Sequence, residues 1–284
     1  MSQNAFTLIE LVVLLVIMAL LISILIPVLA VVRRRAWKTK CGRNLSQISK
    51  VMHFYVNDYR DQLPRAGGPN STWGDTADWQ ADNLSDAFGL KDGDGEASIC
   101  ASLYLLVKYE QVTPNSFICR GDTNTTEFIP AKYGVREKDL IDLWDFGADP
   151  AKHCSYSYHI PYGLYALTSS NLPGMAVVAD RNPWIDSPSA NAKGFAAFDP
   201  NGSVQQIRTG NAIAHQEDGQ NVLYVDGHVS FEKRAFCAVD GDNIYTFWDG
   251  GDIRRGGAPV VGITVPMDRK DSFLVHDPPV PGVK

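Results

Sequence analysis

From Phe6 to Val32 the only ionisable side chain is Glu10. That constrains the chain more than any other feature, because about 20 consecutive apolar residues in a helix already cross a bilayer at 1.5 Å per residue. The run is too long for the apolar core of a secretory signal peptide, roughly 7 to 15 residues, and Met1 to Ala5 carries no Lys or Arg. Such a segment should remain in lipid. An isolated carboxylate at membrane depth is costly and persists where a partner or a function holds it.

Behind the apolar run come Arg33, Arg34, Arg35, Lys38, Lys40 and Arg43. Leu45, Ile48, Val51, Met52, Tyr55, Val56 and Tyr59 then recur at helical spacing, with Arg43, Gln47, Lys50, Asn57 and Asp58 on the other side. A membrane helix over 6–32 should therefore continue as an amphipathic stem over 33–62, until Leu63-Pro64 and Gly67-Gly68-Pro69 stop it. The remainder, 63–284, is about 220 residues, enough for one well-buried head. The formal net charge is −6 while the basic cluster sits beside the span, so the head is more acidic than the total. A nucleic-acid backbone needs a basic face, which excludes that partner class.

Within the head, Ser98 to Val112 predicts a helix with Ile99, Leu103, Leu106 and Val107 on one face. Short β-like runs follow at Phe117-Ile118-Cys119, Ser155 to Tyr158, Met175 to Ala179 and Asn221 to Val225, bounded by Gly, Pro, Asn and Asp. A long helix followed by a largely antiparallel sheet is the order of an α+β domain. Asp139 to His153 and Asp180 to Ser203 carry no pattern that assigns them.

The segment Phe6-Thr7-Leu8-Ile9-Glu10-Leu11 resembles the start of type IV pilins and type II secretion pseudopilins. That resemblance implies a leader of residues 1–5, cut by prepilin peptidase between Ala5 and Phe6, and methylation of the new Phe6 amine. It implies that Glu10 meets the Phe6 amine of a neighbouring subunit during assembly. Pro27, the 22nd residue counted from Phe6, stands where many pilin helices carry a kinking proline. Ala5 stands where the family usually has Gly. The stretch Cys41 to Ile48 also resembles the stem of large pilin-like proteins of planctomycete-type bacteria. The basic residues behind the span would by themselves place the head in the cytoplasm. The cleavage segment, Glu10 and Pro27 agree on the opposite, a single pass of the inner membrane with the head in the periplasm.

In the head, Asp226-Gly227 between apolar runs predicts a tight hairpin of type I′, which needs positive φ at both central residues. With His215 upstream, Asn221 to Val229 resembles the prepilin-type processing-associated domain, defined by a His, nine residues and Asp-Gly. Here ten residues separate His215 from Asp226, one more than the family pattern, within the Glu217-Asp218-Gly219-Gln220 loop. His215, Asp226 and His228 are donor types that ligate metals. The simpler reading is a self-capped turn, and no metal is assigned. Lys91-Asp92-Gly93-Asp94-Gly95-Glu96 is not an EF-hand, because the twelfth position from Asp92 is Leu103 where a bidentate Glu is required. The pseudopilin resemblance leaves a calcium site of Asp and backbone oxygens as the one cofactor to consider.

Of five cysteines, Cys41, in the stem, is expected to be the unpaired one, with three pairings open among Cys100, Cys119, Cys154 and Cys237. No nucleophile elbow, phosphate loop or zinc-protease helix motif is present, so the sequence offers no catalytic site. The expectation is a structural, non-enzymatic subunit whose partners are the membrane, prepilin peptidase and other pilin or pseudopilin subunits. The alternative is a membrane-anchored module binding a sugar or peptide through Trp144, Trp184 and Trp248.

Overall fold

A computed structural model describes residues 7–91, 93–135 and 138–282. Ala5 and Phe6 therefore lie outside the described residues. One helix, α1 (Leu8–Asp58), runs through both the apolar segment and the stem, with Pro27 inside it. Its 51 residues make it about 77 Å long. From Thr7 to Ala36 every side chain is exposed. Beyond that, Cys41, Asn44, Leu45, Ile48, Ser49, Met52, Tyr55 and Val56 form one buried face, as the spacing predicts, although Tyr59 is exposed and Val51 only partly covered. The helix stops before the Gly and Pro expected to end it. Arg60 (φ 54°) and Asp61 (φ 64°) turn left-handed, and the Asp61 amide bonds back to the Val56 carbonyl, five residues earlier.

The head contains β1 (Thr72–Trp73), α2 (Leu84–Ala87), β2 (Glu96–Ala97), α3 (Ile99–Glu110), β3 (Tyr156–His159), β4 (Ala176–Asp180), α4 (Val204–Arg208), β5 (Gln220–Tyr224), β6 (Val229–Glu232) and β7 (Leu274–Val275). Five strands form one antiparallel sheet in the order β6-β5-β4-β3-β7, and β1 and β2 make a small parallel pair. Ser98 caps α3 by accepting from the Ala101 amide, and Gln111 ends it in the left-handed conformation. The fold is thus α+β, with a long N-terminal helix laid on an antiparallel sheet.

Strands β3, β4, β5 and β7 are buried on both faces, and the edge strand β6 is partly covered. Tyr156, Tyr158, Val178, Leu223 and Val275 face α1 and α3, against Leu45, Ile48, Met52, Leu103 and Leu106. Ala176, Ala179, Val222, Tyr224 and Leu274 face a second cluster of loop residues, Trp184, Phe198, Ile244 and Tyr245 among them. Successive strand residues point to opposite sides, so double burial produces the continuous apolar runs seen in the sequence. A register shift between Ala176 and Val178 lets Val177 and Val178 both join the helix side.

Two expectations fail here. Phe117-Ile118-Cys119 is not a strand: Pro114 opens a 3-10 turn (Pro114–Phe117), and only single backbone bonds follow, such as the Ser155 amide to the Phe117 carbonyl at 2.8 Å. Nor is the β5–β6 connection a two-residue type I′ turn. Beyond the Leu223–Val229 pair the Tyr224 amide bonds to the His228 carbonyl at 3.1 Å, the Gly227 amide bonds to the Tyr224 carbonyl at 2.9 Å, and of Val225, Asp226 and Gly227 only Gly227 has positive φ, 87°. That is a three-residue loop closed by a left-handed glycine. The unpatterned loops hold short 3-10 turns, Leu140–Asp142, Pro150–Lys152 and Phe195–Ala197.

Candidate functional site

Two places concentrate unusual chemistry: the start of α1, and the junction where the stem meets β4 and β5. At the start, Thr7 and Glu10 form a capping box. Glu10 Oε2 accepts from the Thr7 amide at 2.8 Å and from the Thr7 hydroxyl at 2.7 Å, while Thr7 Oγ1 accepts from the Glu10 amide at 3.4 Å. The carboxylate also sits at the positive end of the helix dipole. Both features stabilise the ionised carboxylate from within its own helix.

At the junction, Cys41 of α1 and Cys119 form a disulfide with Cα atoms 5.2 Å apart. This corrects the expectation that Cys41 is the odd thiol: the unpaired ones are Cys100, Cys154 and Cys237. Cys100 and Cys154 lie together in the core, and the contact with Cys154 followed by burial pushes the Cys100 thiol well up. Asn44 donates to the Ile118 carbonyl at 2.9 Å, so the Phe117-Ile118-Cys119 segment is fastened to the stem by both a covalent and a hydrogen bond. Gly42 permits the close approach of α1 to β5, since a Cβ there would lie 2.9 Å from Asn221 Oδ1.

Behind the disulfide is a buried polar group. His215 Nε2 lies 3.1 Å from Asp180 Oδ2 and 3.7 Å from Cys119 Sγ. Asn221 holds Asp180 Oδ2 twice, through its amide at 2.7 Å and Nδ2 at 3.1 Å, and its Nδ2 is 3.2 Å from His215 Nε2. Burial works against a charged imidazole, but the Asp180 carboxylate outweighs it and raises the His215 pKa. Two residues bearing the processing-domain resemblance, His215 and Asn221, are thus brought together. Asp180 and the two cysteines complete the group.

Asp226 and His228 are not part of it. They stand at the other end of β5, where Asp226 Oδ1 accepts from the His228 amide at 3.1 Å and the His228 ring stacks on Tyr224 at 4.3 Å. That is the self-capped turn. Gly227 presses on the stem: its carbonyl accepts from Ser49 Oγ at 2.9 Å, and a Cβ would lie 2.5 Å from His53 Nε2. Nearer the span, Arg34 donates to Gln216 Oε1 at 2.8 Å, Lys38 pairs with Asp218 at 3.3 Å, and the Lys38 ammonium lies 4.4 Å from the Phe231 ring centre. The loop carrying the extra residue therefore rests on the basic stretch, with Gln216, Glu217 and Gly219 all at positive φ.

Of the aromatics considered for ligand binding, Trp144 and Trp184 are buried, and Trp144 donates to the Ala81 carbonyl at 2.8 Å. Asp92 of the calcium reading is outside the described residues, and Asp94 Oδ1 accepts from Asn70 Nδ2 at 3.2 Å. Comparison with family models, curated proteins and solved structures finds no match for this chain.

Proposed function

We propose that the chain is a pilin-like structural subunit, anchored in the inner membrane with its head in the periplasm, cut before Phe6 and assembled with other subunits into a type II secretion or type IV pilus-like filament. The observation that carries this reading is a helix that is apolar and uncovered from Leu8 to Val32 with a single carboxylate one turn from its start. Such a surface needs lipid or other helices around it. An ordinary anchor has no use for the carboxylate, whereas an assembling bundle uses it to meet the amine of an incoming Phe6. Thr7 would remain after cleavage, so the capping box would survive and hold Glu10 in place for that contact. The head supports the same reading: it is stapled to the stem, so helix and head would move into a filament as one piece.

The mature N-terminus tests it. Mass spectrometry of the protein from its native host should find a chain beginning at N-methylated Phe6. Intact Met1 protein in membranes whose other prepilins are processed would overturn the assignment. A periplasm-active reporter fused after Lys284 should be active, and one active only in the cytoplasm would mean that the arginine cluster sets the topology.

The alternative, an anchored sugar- or peptide-binding module, has one feature in its favour. A cleft of about 540 Å³ opens where α1 ends, lined by Tyr55, Tyr59, Arg65 and Tyr109. Binding of a saccharide or peptide that Tyr59→Ala abolishes, in a protein that does not assemble, would favour it.

A further inference from the structure

Cys41, Cys119, Asp180 and His215 come from four separate segments: the stem, the loop after the 3-10 turn at Pro114–Phe117, the end of β4, and the 3-10 turn Ile213–His215. All four are buried, and one donor atom from each lies within 4.8 Å of the other three. Two sulfurs, an imidazole nitrogen and a carboxylate oxygen make a complete donor set for four-coordinate zinc. Sulfur donors also argue against calcium or magnesium, which take oxygen. Asp180 adds an independent sign: its Oδ1 is buried without a hydrogen-bond partner, an arrangement native proteins rarely tolerate without a reason. Asn221 grips the other carboxylate oxygen, as outer-shell groups do around metal ligands.

We propose that the reduced protein binds one zinc ion through Cys41, Cys119, Asp180 and His215, so that the disulfide and the metal are alternative fasteners of stem to head. In the conversion an external dithiol gives two electrons and two protons to the Cys41–Cys119 disulfide, becoming a disulfide itself. The two thiols, and His215 where it carries a second proton, then lose those protons to solvent as zinc binds, and neutral His215 Nε2 and one Asp180 oxygen fill the remaining positions. Zn–S bonds of about 2.3 Å in a tetrahedron put the sulfurs about 3.8 Å apart, a separation that side-chain rotation can supply. In the oxidised protein no thiolates remain and the site loses two of its four donors.

The test uses the full chain in detergent, either untreated or reduced with dithiothreitol, desalted without oxygen, exposed to zinc chloride and dialysed. Elemental analysis should find about one zinc per reduced chain and at least tenfold less in the untreated protein. Cobalt in place of zinc should give the intense visible bands of a tetrahedral ion and the near-ultraviolet bands of thiolate ligation. His215→Gln should weaken zinc retention at least tenfold, and so should Cys41→Ser with Cys119→Ser, which leaves Cys100, Cys154 and Cys237 in place. Reduced wild-type protein that retains no zinc, or a double serine variant that retains as much as wild type, would overturn the proposal. If the serine variant does not fold, the cobalt spectrum of the wild type decides: octahedral bands, or none from thiolate, reject the site.

Discussion

The two halves of α1 obey the same backbone geometry and opposite solvation rules. From Leu8 to Val32 the helix is apolar all round apart from Glu10 and is exposed throughout, while from Cys41 to Val56 it buries one face against the head. In the first half the side chains do not choose a neighbour, because every face is equally greasy and the environment must supply the contacts. In the second half the spacing of Leu45, Ile48, Met52 and Tyr55 fixes which face meets the head. One helix thus carries a general instruction to leave water and a specific instruction to pack.

The largest effect should separate the two halves by function. Glu10→Leu should leave insertion and head stability unchanged but abolish crosslinking into multimers, since an unpaired Phe6 amine buried in a filament would cost roughly 3 to 5 kcal/mol. Wild-type levels of multimer in that variant would remove Glu10 from assembly and favour the plain anchor.

Next, one substitution made in each half should give unequal answers. Leu45→Ala, at a fully buried position, should lower head stability by about 2 to 5 kcal/mol in urea unfolding of the detergent-solubilised chain. Leu20→Ala, in the uncovered half, should change it by less than about 0.5 kcal/mol. Equal losses would mean that the first half packs on something in the isolated chain.

A pH series sharpens the contrast, because the buried titrating groups are in the head. Burial pushes the Asp145 carboxyl up to about 7, although hydroxyls of Ser98 and Thr76 and the Phe146 amide donate to it. With the folded value above the unfolded one, the stabilising contribution is complete below about pH 4 and is lost as pH rises through about 7. Head stability should therefore fall across that window by up to about 1.4 kcal/mol per pH unit from this group, and Asp145→Asn should flatten that part of the slope. Helicity of the apolar half should not follow pH there. An Asp145→Asn profile parallel to wild type would place the proton elsewhere.

The smallest effect probes the contact between hairpin and stem. Gly227→Ala puts a Cβ on a backbone with φ of 87° and against His53, and should cost about 1 to 2 kcal/mol. Gly134→Ala, at φ 77° with open space around it, should cost only the backbone share. If the two cost the same, the contact with His53 adds nothing.

What the sequence made legible follows how local each signal is. Both halves of α1, helix α3 and the strands β3, β4 and β5 follow from periodicity or from short apolar runs, properties of neighbours in the chain. Cys41 defeated that reasoning because its partner Cys119 is 78 residues away, and nearness to the apolar segment says nothing about nearness to Cys119. Phe117-Ile118-Cys119 looked like a strand because its residues are apolar, and Phe117 and Cys119 do lie in the core. The backbone around them, set by Pro114 and by Asn44, is irregular. Asp226-Gly227 marked the hairpin correctly but not its loop length, since the Tyr224 amide bonds to the His228 carbonyl and leaves three residues between them. Within the buried cluster His215 and Asn221 stood out by motif, whereas the contact of Asp180 with both depends on β4 and β5 lying side by side.

The staple between Cys41 and Cys119 also determines how the molecule bears load. A pull on α1 toward its N-terminus reaches the head first through Arg34 with Gln216 and Lys38 with Asp218, exposed polar contacts that yield easily. The next attachment is covalent. Tension then enters the head at Cys119 instead of peeling Leu45, Ile48 and Met52 from the sheet one after another, so the stem behaves as a riveted spar and the lever arm for detachment shrinks to the short helix segment ahead of the rivet.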